Sequence, residues 1–255
     1  MNVLAVGAHP DDIELGCAGT LARHVWAGDT VTMLVMTTGE RGPQDSVPRV
    51  DEQVAAARLI GANLIWGGFS DGAVPTGGDT VAFIDEVVRL TRAEILYTHA
   101  PKDSHQDHVT TALCSLAAAR RLPRVLCYQS PSTTSFDPNL FVDIDETFEL
   151  KRRSLSAHQS QVLRCEMVDL EAVGAAARYW GHRSRVRHAE GFETPRFVWQ
   201  IGADADVSRT AGRPVETADP QLEPAAVEEW AHLPQTRTPA PRSRDEAARL
   251  MAASE

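Results

Sequence analysis

The chain has 255 residues, 43% of them apolar and 24% charged, with 35 acidic against 25 basic side chains for a formal charge of -10. That length supports one sizeable α/β core without a second domain, and the acidic balance argues against a protein built to grip nucleic acid or an anionic membrane. The opening apolar run, Val3 to Ala8, is too short for a signal peptide or a membrane span.

Short runs rich in Val, Ile and Leu then alternate with segments of helical periodicity. Strands are expected at Val3–Ala8, Val31–Thr37, Asn63–Trp66, Ile95–His99 and Val125–Tyr128, with helices over 13–27, 50–61, 80–92 and 108–120. Repetition of this kind predicts an α/β fold: a Rossmann-like, mostly parallel sheet with helices on both faces. After residue 130 the alternation fades to a strand at Leu140–Ile144, helices at Asp145–Ala157 and Met167–Trp180, and a late strand at Arg196–Ile201. The folded domain is thus expected to occupy residues 1–202. From 203 to 255 the sequence holds six of the 15 prolines and a single aromatic, Trp230. A segment so poor in apolar surface is expected to be an extended or partly disordered tail, with short helices at most near 224–232 and 243–253. The cysteines at 17, 114, 127 and 165 form no CxxC pair and read as buried thiols in a reducing, cytoplasmic setting.

In open parallel sheets, ligands bind beyond the carboxyl ends of the strands where the strand order reverses. Two polar clusters fall at such ends: "GAHPDDIELGC" at 7–17 and "HAPKDSHQDHVTT" at 99–111. His9, Asp11 and Asp12 in the first, and His105, Asp107 and His108 in the second, supply the imidazoles and carboxylates that zinc and its first-row relatives take. A catalytic metal keeps three protein ligands and an open position for water, whose pKa it lowers from about 15.7 to about 7. One of the paired aspartates can therefore bind metal while the other accepts a proton, and spacing alone leaves open which does which. Asp107 can hold an imidazole through its ring N–H. Glu14 can cap the first turn or bond back to the loop. His99 reads as a strand-end residue packed in the sheet.

These residues also resemble a known family. "AHPDDIE" at 8–14, "TTGERG" at 37–42, "HQDH" at 105–108, "KRRSLSAHQSQ" at 151–161 and "AEGF" at 189–192 occur in the order found in the PIG-L or LmbE-like zinc-dependent de-N-acetylases, which act on N-acetylglucosaminyl compounds. The resemblance spans residues 3 to about 201. It implies Zn2+, or another divalent first-row metal, on His9, Asp12 and His108, with Asp11 as general base. His105 would stabilise the oxyanion or protonate the leaving amine, Asp107 would orient a histidine, Arg41 would reach substrate hydroxyls and His158 would stand near the pocket rim. The implied partner is a small N-acetylated, sugar-like substrate, with no nucleic acid or membrane involved, and relatives' assembly points to a homo-oligomer. Where the family commonly has proline in the HxDH element, this chain has Gln106. Two further readings use the same residues. Two histidines and a carboxylate also form the facial triad of non-haem iron oxygenases, and a Rossmann-like core can serve as a non-catalytic metal- or sugar-binding module.

Overall fold

The computed structural model describes residues 1–42, 49–164 and 168–200. The proposed tail, its two short helices and Cys165 lie outside the described residues.

Seven strands form one sheet in the order β3-β2-β1-β4-β5-β7-β6. The first five are β1 (Asn2–Gly7), β2 (Thr30–Thr37), β3 (Asn63–Phe69), β4 (Ile95–His99) and β5 (Arg124–Tyr128), all parallel. β7 (Ala189–Phe197) runs antiparallel between β5 and β6 (Leu140–Asp143). Both faces of the parallel strands are covered, which is why they read as continuous apolar runs. On one face Val3 and Ala5 of β1 meet Ile13, Cys17, Leu21 and Val25 of α1 (Asp12–Trp26) and Val54, Ala57 and Ile60 of α2 (Arg49–Ile60). On the other, Leu4 and Val6 meet Ile84 and Val87 of α3 (Gly78–Thr91) and Cys114 and Ala118 of α4 (Gln106–Ala118). Each fully buried Leu, Ile or Val in this sandwich contributes about 1.5–3 kcal/mol of transfer free energy.

The chain runs outward from β1 through β2 to β3, then returns to lay β4 and β5 on the other side of β1. The order therefore reverses between β1 and β4, and a crevice opens at their carboxyl ends. Cys17, Cys114 and Cys127 are buried and free. Among the described residues no helix is long and apolar enough to cross a membrane.

Three expectations shift. The late strand begins at Ala189, not Arg196, because 189–192 pair with β6 on one edge while Phe192–Phe197 pair with β5 on the other; the charge of Glu190 disguises this buried run. α5 is Phe148–Ser156, and α6 is Leu170–Ser184, starting at Asp169, whose carboxylate caps the Glu171 and Ala172 N–H groups. A single wide helical turn at Ser160–Arg164 joins them.

Candidate metal centre

The loop after β1 turns directly into α1, and its geometry is unusual at Asp11. This N-cap residue has φ 91°, a left-handed conformation rare for a side-chain-bearing residue, and its carboxylate makes no capping hydrogen bond. Strain of this kind gathers at functional sites. It holds the Asp11 main-chain N–H on Gln53 Oε1 at 3.2 Å and the carboxylate 3.8 Å from the buried Arg49 guanidinium. Arg49 in turn donates to the Pro10 and Gly39 carbonyls, tying α2 to both strand-end loops. Burial and the neighbouring Asp12 charge push the Asp11 carboxyl up to about 7, against the opposing pull of His158 and Arg49.

One residue on, Asp12 meets His9 and His108. His9 Nδ1 lies 3.2 Å from His108 Nε2 and 3.3 Å from Asp12 Oδ2, and His108 Nε2 lies 3.3 Å from Asp12 Oδ1. Two ligand atoms on a tetrahedral zinc at about 2.0–2.1 Å are themselves about 3.4 Å apart, a spacing each of these pairs has, with the two histidines facing different oxygens of Asp12. Three overlapping groups here could hold an ion: His9 with His105 and His108, Asp12 with His99 and His108, and His9 with Asp71 and Asp107. The outer nitrogens are also provided for. His9 Nε2 faces Asp71 Oδ1 at 3.1 Å and Asp107 Oδ2 at 3.2 Å. His108 Nδ1 faces Ser132 Oγ at 3.1 Å, Ser130 Oγ at 3.3 Å and Asp103 Oδ2 at 3.4 Å. Each ring can donate its outer N–H to acceptors and turn its inner nitrogen, unprotonated, toward the shared point.

Electrostatics agree with a cation at that point. Burial disfavours a charged His9, yet hydrogen bonds to Asp107, Asp12 and Asp71 outweigh it and carry its pKa up to about 12. Burial likewise opposes charge on Asp12, but His108, His99 and His9 hold it well below the usual carboxylate range. Asp71 and Asp103 are both held at about 2, the first chiefly by His9; the second, despite partial burial, by the His105 N–H and the Ser130 hydroxyl. The cluster is built around positive charge.

His105 caps α4. Its Nδ1 accepts the Asp107 N–H at 3.2 Å, which leaves Nε2 as the protonated nitrogen of a neutral ring. Burial and the charges of His9 and His108 lower its pKa, favouring that neutral form. The ring stacks on His108 with centroids 4.6 Å apart. Gln106 occupies the first position of α4, exposed to solvent, where proline's ring would be accommodated equally well.

Asp107 accepts from Gly72 N–H at 2.6 Å and Val74 N–H at 3.2 Å, anchoring the loop after β3. Arg41 is exposed, and its N–H bonds Asp71 Oδ2 at 3.0 Å. Glu40 receives the Asp71 N–H at 2.7 Å. His158 is fully buried behind the site rather than exposed at its rim, 3.7 Å from Glu14 Oε1 and near enough to Asp11 for its charge to pull that carboxyl down, because α5 packs over α1 and α2. Glu14 itself caps nothing and accepts from Gln53 Nε2 at 2.7 Å.

Sequence reasoning passed over Asp71, Asp103, Arg49 and the site role of His99. His99 stacks on His108 at 4.1 Å, and its Nε2 accepts the Ala8 N–H at 3.1 Å and lies 3.2 Å from Asp12 Oδ2. His99, Asp71 and Asp103 all stand at or just past the carboxyl end of a strand, the signal that could have marked them.

The doubly wound sheet carries this cluster at its switch point, and the likenesses to known proteins give the class, an enzyme that hydrolyses amides. Residues 4–119 match the family model described as PIG-L: GlcNAc-PI de-N-acetylase. An Escherichia coli K12 protein described as the uncharacterized deacetylase YaiS is 35% identical over 168 residues, 62% of this chain and 91% of that protein. The diacetylchitobiose deacetylase of Thermococcus kodakarensis is 27% identical over 224 residues, 77% of this chain and 83% of the relative. In three dimensions, the conserved protein TT1542 from Thermus thermophilus superposes with a TM-score of 0.71 at 27% identity, covering 80% of this chain and 99% of that one. The chain belongs to the PIG-L, or LmbE-like, family.

Proposed function

We propose that the protein removes the acetyl group from an N-acetylated amino sugar or a related glycoside, releasing acetate and a free amine. The observation that carries this reading is the meeting of His9 Nδ1, Asp12 and His108 Nε2 within 3.3 Å of one another, beside a strained aspartate whose carboxylate caps nothing. His9, Asp12 and His108 would hold zinc, or another divalent first-row metal, which supplies Lewis acidity toward the amide carbonyl and a lowered pKa for water.

The chain's own groups do the rest. Asp11 takes the proton of the attacking water as general base. His105 donates a hydrogen bond from its Nε2–H to the oxygen that gains charge as the carbonyl carbon becomes tetrahedral, and keeps the proton. The proton held by Asp11 then passes to the leaving nitrogen. Asp107 and Asp71 fix the His9 ring, while Asp103 and the serine hydroxyls fix His108. Arg41, exposed on the loop that Asp71 anchors, reaches substrate hydroxyls. A small substrate, a cytoplasmic setting and a homo-oligomeric assembly complete this reading.

The test is a panel of N-acetylated sugars and pseudodisaccharides, including diacetylchitobiose, incubated with zinc-loaded protein and scored for acetate and amine. Equimolar release, abolished by a chelator and restored by zinc, is expected. Oxygen consumption with ferrous iron and no amide cleavage would favour an oxygenase. Metal binding with neither reaction would favour a binding module.

A further inference from the structure

A cavity of about 290 Å³ lies beside the metal centre, between α1, α6 and the start of β7. Two links join it to the site. Leu15 forms part of one wall, and on α1 it sits one turn below Asp11 and Asp12, at i+4 and i+3, on the same helical face. Ser130 forms part of the other wall, and its hydroxyl is 3.3 Å from His108 Nδ1 and 2.7 Å from Asp103 Oδ2. The cavity thus abuts the helix that follows Asp11 and the hydroxyl that meets the outer nitrogen of His108.

The interior is apolar. α6 lines it with the small side chains of Ala172, Val173 and Ala176, which leave the space, and with the ring of Trp180. Three charged side chains line it: Lys151 and Glu190 satisfy each other at 2.6 Å, and Asp169, exposed to solvent, accepts the Glu171 and Ala172 N–H groups at the start of α6. Lys151 Nζ also donates to the Leu15 carbonyl, and Glu190 receives the N–H groups of Gly19 and Thr20. This buried pair leaves an occupant no charge to neutralise. A sugar ring, with a hydroxyl on nearly every carbon, would lose its hydrogen bonds to water against these walls without replacing them.

We infer that this cavity is a substrate subsite for an apolar group, an alkyl chain or an aryl ring, carried by the same molecule whose amide reaches His9, Asp12 and His108. The inference rests on the amide-hydrolysis reading and narrows its substrate class. The natural substrate carries an apolar substituent in addition to its polar amino sugar. That substituent is attached either to the acyl carbon or to the amine-bearing part, and the two attachments share one chemistry in the cavity.

The experiment uses reaction products as probes, so that binding is read without turnover. Calorimetry on the zinc-loaded full chain compares methyl with octyl glucosaminide, and acetate with octanoate, all below micellar concentrations. In one pair the octyl member is expected to bind at least tenfold more tightly than its short partner, and that pair identifies which side of the amide bears the apolar group. Ala172→Phe and Ala176→Phe, both at exposed positions on the α6 wall, are expected to abolish the gain while leaving the short partner within twofold. Chain-length independence in both pairs would overturn the inference, as would a gain that survives both substitutions. A gain without deacetylation of any sugar would remove the amide reading and leave the subsite. Deacetylation without a gain would do the reverse.

Discussion

Two buried charged clusters sit against the first half of α1, and they are built on opposite rules. Around Asp11 and Asp12, carboxylates are in surplus: Asp71, Asp103 and Asp107 crowd with them about His9, His105 and His108, and the backbone at Asp11 is strained. Around Glu190 everything is matched. Its oxygens take the Gly19 and Thr20 N–H groups, the Thr20 hydroxyl at 2.6 Å and Lys151. Buried charge that is fully paired gives rigidity, whereas buried charge left in surplus gives reactivity and affinity for a cation. The fold uses the first kind to steady the helix that presents the second.

Breaking the matched cluster should therefore produce the largest loss of stability. Lys151→Met leaves the Glu190 carboxylate buried without its counter-ion and is expected to cost about 3–5 kcal/mol, read as a lower urea midpoint, while the folded fraction still binds zinc. A cost below about 1 kcal/mol would mean that the two clusters do not differ as described. Asp71→Asn tests the surplus cluster with a smaller effect. It takes one of the two carboxylates from His9 Nε2 and should weaken zinc binding about 10–100-fold, measured by competition with a chromophoric chelator, with little movement of the urea midpoint. Smallest is Asp169→Ala, which touches neither cluster. Loss of the α6 cap should cost about 1 kcal/mol, seen in thermal unfolding, with the zinc affinity unchanged.

The surplus cluster was the more legible of the two in the sequence. Turns use Asp freely but have little need of His, so His9 beside Asp11 and Asp12, and His105 and His108 about Asp107, stood out, and both loops follow strands, so chemistry and position pointed the same way. Asp71 did not stand out because it lies in a Ser-Asp-Gly turn of ordinary appearance. Its meaning comes only from β3 lying two strands from β1, which lets the loop after it reach His9. His99 was hidden by a correct reading, since a strand-end histidine does pack in the sheet, and here the packing partner is His108. The matched cluster was nearly invisible. Lys151 and Glu190 are 39 residues apart, and a charge inside 189–192 looks like the end of a strand until β6 and β5 are seen to pair on its two edges. His158 misled for the same reason. The resemblance set it near the rim, but α5 lies over α1 and α2 and seals it in.

The division of labour between the two adjacent aspartates is tested most directly by Asp11→Asn, with bound zinc and acetate release measured on the same preparation. Zinc stoichiometry equal to that of the unmodified protein, with turnover of an N-acetylated sugar reduced about 10²–10⁴-fold, is the result expected if Asp12 holds the metal and Asp11 the proton. Turnover close to that of the unmodified protein, or loss of the zinc itself, would contradict that assignment.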